Sequence, residues 1–99
     1  MRTMMRVSIP VESGNAAIKS GRLQQAMQEM LGRVHPEAAY FTADQGVRTC
    51  YLFIDMKDQS DIPALAEPFF LEFNAKVEFM PVMNAEDLQK ALAKVAATV

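Results

Sequence analysis

The chain has 99 residues, 51% of them hydrophobic, enough for one domain around one core, but so short a chain leaves much of its surface exposed and gains from a partner subunit. Ten basic residues stand against 12 acidic ones, a net charge of −2 with no block of one sign, so there is no electrostatic footprint for nucleic acid or for an anionic membrane surface. No segment approaches the roughly 20 apolar residues of a membrane span, and the start MRTMMRVSIPVESGN has no apolar run of signal-peptide length, which places the expected location in the cytoplasm.

The first strand is expected in MMRVSIPV, where Met5, Val7 and Ile9 alternate with Arg6 and Ser8 at the period of a half-buried strand. Met4 is a second candidate initiator, which would make residues 1–3 an extension of a single domain spanning residues 1–99. In SGNAAIKSGRLQQAMQEMLGRVHP, Leu23, Met27, Met30, Leu31 and Val34 recur at helical spacing; Ser20 is the expected cap, Asn15 to Lys19 a short turn before it, and His35-Pro36 the stop.

EAAYFTADQGVRTCYLFIDM reads as a hairpin, with Asp44-Gln45-Gly46 as a three-residue connection and Gly46 in the left-handed position. Ala43 then opposes Val47. That register puts Ala39, Phe41, Thr49, Tyr51, Phe53 and Asp55 on one face and Tyr40, Thr42, Arg48, Cys50, Leu52 and Ile54 on the other.

In SDIPALAEPFFLEFN, Ser60 is the expected cap, Pro63 sits in the first turn, and Ile62, Leu65, Ala66, Phe69, Phe70 and Phe73 form the apolar stripe, with Pro68 expected to kink or shorten the helix. AKVEFMPV alternates Val77 and Phe79 against Glu78 and Met80, a fourth strand. NAEDLQKALAKVAATV opens on Asn84 with Asp87 three residues later, close to a capping box, and carries Leu88, Leu92, Val95 and Val99 on one stripe.

The order strand, helix, strand, strand, helix, strand, helix is the split βαβ pattern of a ferredoxin-like α+β fold with an added C-terminal helix. In that fold helices cover one face of a four-stranded antiparallel sheet. The other face would hold Arg6, Ser8, Phe41, Thr49, Tyr51, Phe53, Asp55, Glu78 and Met80, a patch too apolar to face water alone, so a second subunit, the terminal helix or a ligand is expected over it.

With these features the chain resembles the dimeric α/β-barrel superfamily, in which two ferredoxin-like subunits pack open sheet against open sheet. PEAAYFTADQGVRT, FIDMKDQSDIP and AEPFFLEFNAKVEFMPVMNAEDL are similar to a group of small bacterial proteins of unknown function. The resemblance implies a homodimer with a cavity near each sheet, and relatives that include cofactor-independent monooxygenases, isomerase-like enzymes, haem-active proteins and stress-induced proteins. It selects no reaction.

Among candidate site residues, Arg6, Thr49, Tyr51, Asp55 and Glu78 combine an aromatic wall with convergent polar groups, the composition of a small-molecule site, with Tyr51 and Arg6 orienting the ligand and Asp55 or Glu78 as a proton acceptor of raised pKa. The plain alternative is that Arg6 pairs with Glu78 across adjacent strands while Tyr51 and Phe53 fill a dimer interface. Inverted faces would instead expose Tyr40, Thr42 and Arg48.

His35, the one histidine, suits a general base or haem ligand, and equally a cap near the negative end of a helix dipole. No spacing of His with Cys, Asp or a second His suggests a metal, and GxGxxG and GxxxxGK[ST] are both absent, so no cofactor is expected. Cys50, the one cysteine, lies among aliphatic strand residues and reads as a small buried hydrophobe; being alone it forms no internal disulfide, consistent with a reducing compartment. RNA binding on this fold would need aromatic and glycine positions that RTCYLFID lacks.

Overall fold

In a computed structural model describing residues 1–99, β1 runs Arg2–Ile9, with Thr3, Met5, Val7 and Ile9 buried and Arg2, Met4, Arg6 and Ser8 on the opposite side. The strand begins earlier than its alternating motif. Arg2 pairs with Asp55, and Thr3, which interrupts the apolar alternation, is buried with its hydroxyl donating to the Met1 carbonyl at 3.0 Å.

Pro10 leads into α1 (Val11–Ser20), a full helix where the sequence suggested a short turn. Its buried residues are Gly14 and Ala17, too small to write an apolar stripe into the sequence. Gly21, at φ 79, closes α1 and opens α2 (Arg22–Val34), so a left-handed glycine and not a Ser20 cap makes the junction. α2 buries Leu23, Ala26 and Met30 and half-buries Met27, Leu31 and Val34, close to the expected stripe. His35, itself left-handed, and Pro36 end it.

β2 (Ala38–Asp44) and β3 (Val47–Asp55) form the hairpin, but the connection has two residues, Gln45 at φ 53 and Gly46 at φ 78. Asp44, not Ala43, opposes Val47. This one-residue slip inverts β2 relative to β3: Tyr40 lies opposite Tyr51 and Thr42 opposite Thr49, while Phe41 moves to the side of Cys50. Phe41 therefore leaves the open face and Tyr40 joins it.

Asp58, not Ser60, caps the next segment, accepting the Ser60 N–H at 2.8 Å across a single turn at Gln59–Asp61. α3 (Ile62–Phe73) follows, with Pro63 in its first turn and Pro68 inside it without ending it. Ala66, Phe69 and Phe73 point inward, whereas Phe70 is 40% exposed. Next come β4 (Lys76–Pro81) and α4 (Ala85–Thr98), whose capping box forms as expected: Asn84 Oδ1 accepts the Asp87 N–H at 2.8 Å, and Asp87 Oδ2 accepts that of Asn84 at 3.1 Å.

The four strands make one antiparallel sheet in the order β2-β3-β1-β4. Residues of α1, α2 and α3 join Met5, Val7, Cys50, Leu52 and Ile54 in a single core on one side of it. α4 stands apart, with none of its residues buried and its first turn tethered by Arg2 Nη1 donating to Asp87 Oδ2 at 2.6 Å. The molecule is correspondingly long, 55 × 27 × 18 Å, with a radius of gyration of 16.0 Å where a compact chain of this length has about 13 Å. No helix is long and apolar enough to cross a membrane.

Candidate functional site

The open face is organised around Arg6. It stands in the second-from-edge strand β1 with Tyr51 directly across on β3 and Glu78 directly across on β4, so alternation and register alone bring the three together. Arg6 Nη1 donates to Glu78 Oε1 at 2.7 Å, Nη2 donates to Asp44 Oδ2 at 2.6 Å, and Nε reaches the Tyr51 hydroxyl at 3.3 Å. The Tyr51 hydroxyl in turn donates to the same Asp44 oxygen at 2.6 Å, and the guanidinium carbon lies 5.7 Å from the Tyr51 ring centre.

Asp44 is absent from the site expected from sequence, where a three-residue connection places it in the turn; the structure makes it the last residue of β2. The signal was the glycine at 46: a two-residue turn needs positive φ at both positions, and it makes Asp44 the last residue of β2, on the same face as Tyr40 and Tyr51. Gln at the first turn position obscured this, since Asn, Asp or Gly is the usual choice there.

The electrostatics are those of an anchor. Hydrogen bonds from Tyr51 and then Arg6 hold the Asp44 carboxyl below its ordinary range, and the bonds to Tyr51, Asp44 and Glu78 raise Arg6 above its own. Asp44 stays ionised and Arg6 stays cationic. Such a cluster orients a bound group through fixed charges and is poorly suited to taking up a proton near neutral pH.

The remaining candidates are dispersed. Asp55 lies at the end of β3, bound to Lys57 and, at 3.0 Å, to the Met1 ammonium, and these contacts pull its carboxyl down to about 2. That is the reverse of the upward shift expected of a proton acceptor. Thr49 is on the open face but buried, its hydroxyl donating to the Val47 carbonyl at 2.9 Å. Tyr40 is 63% exposed, its ring set edge-on to Phe53 at 6.3 Å. Arg48 points to the helix side and donates to Asn15 Oδ1 at 3.0 Å, its guanidinium passing close to Gly14 of α1. His35 lines a hollow with Arg2, Glu37 and Asp55, away from Tyr51. Cys50 is buried, and loss of solvent pushes its thiol up to about 11.

None of the larger cavities is lined by Arg6, Tyr51, Asp44 or Glu78: besides the His35 hollow of about 430 Å³ there is one of about 370 Å³ beside Thr3, Ile62 and Phe79. Another of about 440 Å³ opens between α2, the end of β3 and α3, walled by Val34, Ile54, Met56 and Leu65 with Arg33 and Lys57 at its rim. A smaller one of about 210 Å³ lies under Phe41 and beside Arg48. No group of three or more His, Cys, Asp or Glu side chains is placed to hold a metal ion.

These elements define an α+β domain with one four-stranded antiparallel sheet, four helices and a polar cluster on the uncovered sheet face. The chain belongs to the family described as Domain of unknown function (DUF3303), whose model matches residues 1–96. No curated protein and no solved structure matches the chain.

Proposed function

We propose that this chain is a ferredoxin-like homodimer whose two open sheet faces meet and enclose a small, partly apolar or aromatic metabolite beside the Arg6–Tyr51–Asp44–Glu78 cluster. The strand order β2-β3-β1-β4 with antiparallel neighbours supports the ferredoxin-like reading. The observation that carries the functional reading is the face away from the core helices: an ion-paired arginine set among Tyr40, Phe53 and the 55%-exposed Met80. Ser8 Oγ, two residues from Arg6 on the same side, is sheltered and has no protein partner, and so supplies a spare polar group.

Native mass spectrometry of gently purified protein tests this directly. The expected species has twice the 11.0 kDa chain mass plus retained small-molecule mass. A monomer across the working concentration range overturns the reading.

A second reading is a structural or stress-related dimer module without catalysis, favoured by one observation: each of the three guanidinium nitrogens of Arg6 already donates to a side chain of its own domain, Tyr51, Glu78 or Asp44. The two separate on Tyr51→Ala. If Tyr51 is an interface anchor the variant dissociates; if it serves a ligand, the dimer mass persists and the retained molecule is lost. A monooxygenase- or isomerase-like activity draws less support, since Asp44 and Asp55, held below the ordinary carboxylate range, are weak proton acceptors.

A further inference from the structure

α4 is an amphipathic helix with nothing against its apolar side. Leu88, Leu92 and Val95 stand at intervals of four and three, and they are 46%, 56% and 54% exposed, while Lys90 and Lys94 share the helix with them. An isolated helix of 14 residues is marginal in water, so a well-capped one with an unused apolar stripe is built to be covered.

Its position says by what. Arg2, an open-face residue of β1, grips Glu37 with one edge of its guanidinium and the first turn of α4, through Asp87, with another. The helix is thus held on the open side of the sheet at its start, while its remaining turns contribute no residue to the domain's own core. At about 1.5 Å per residue it extends roughly 21 Å from that anchor, long enough to reach beyond its own domain.

The surface area fits one occupant. The chain exposes 6606 Å², whereas a compact monomer of 11.0 kDa exposes about 5,600 Å². The excess is close to the roughly 800 Å² per partner that a stable protein interface covers.

From these observations we infer that α4 is an exchanged arm: in the homodimer proposed above, on which this inference rests, each α4 leaves its own domain and seats its Leu88/Leu92/Val95 stripe on the open-sheet side of a second copy of this chain. The partner's arm returns the same contact, as two-fold symmetry requires. The charged side of the helix stays in water.

The test uses the full chain. Sedimentation velocity over a concentration series gives the dimer dissociation constant, and hydrogen exchange read by mass spectrometry above and below that constant gives the protection of residues 85–99. The expected result is that these amides are protected in the dimer and exchange freely in the monomer, and that Leu92→Glu with Val95→Glu raises the dissociation constant by more than about tenfold. Both positions are exposed in the single chain and Glu is a good helix former, so the monomer fold is unaffected and circular dichroism verifies it. Unchanged dimerisation of the variant, or free exchange of α4 in the wild-type dimer, overturns the arm and leaves the open-face dimer standing. A wild-type monomer removes both.

Discussion

Asp44 and Asp55 are both held ionised, for causes that separate in experiment. Asp55 is lowered to about 2 by Lys57 and the N-terminal ammonium. A folded-state value below the ordinary 3.8 adds stability above about pH 4, and that contribution is lost as the pH falls toward 2. Asp55→Asn should therefore flatten the fall in urea midpoint across this window, and because the pair is exposed, roughly 1 M salt should shrink the difference. For Asp44 the largest cause is the Tyr51 hydroxyl, so Tyr51→Phe should let its carboxyl titrate at higher pH, as read by carbon NMR of the side chain. Of this residue-level detail, the Arg6, Tyr51 and Glu78 grouping was legible because it needs only alternation and strand adjacency. Asp44 was not, because its role depends on a one-residue difference in turn length.

The elements were legible wherever their apolar residues are large. α2, α3, β1 and β4 announce themselves through Leu, Met, Phe and Val at period 3.6 or 2, whereas α1 buries only Gly14 and Ala17 and looks like a turn. The hairpin turn carries the clearest prediction at this scale. Gln45 adopts φ 53 with no special fitness for it, so Gln45→Asn should stabilise the protein by a few tenths of a kcal/mol, since Asn tolerates the left-handed region. Gly46→Val, at φ 78, should cost about 1–2 kcal/mol, and thermal unfolding of the two variants should move in opposite directions. In α3, Phe69 is 3% exposed within the core, and Phe69→Ala should cost about 3–5 kcal/mol in chemical denaturation.

At the scale of the whole molecule, element order pointed to a sheet with helices on one side, and the chain folds that way. The projecting α4 was beyond the reach of periodicity, which reports that a helix has an apolar side but not what lies against it. Both the bare sheet face and this helix enlarge the surface beyond that of a compact chain, so stability should depend on self-association. Melting temperature should therefore rise with protein concentration, by several degrees for each tenfold increase if the monomer is marginal. A concentration-independent melting temperature would indicate that the single chain is stable by itself.

The burial of Cys50 has a practical corollary. Because the sole thiol is enclosed and ionises only near pH 11, the native chain is effectively silent toward maleimides at neutral pH. A cysteine introduced anywhere on the exterior would be the only handle for a spin label or fluorophore, so labels can be placed on the protein without first engineering away the natural residue.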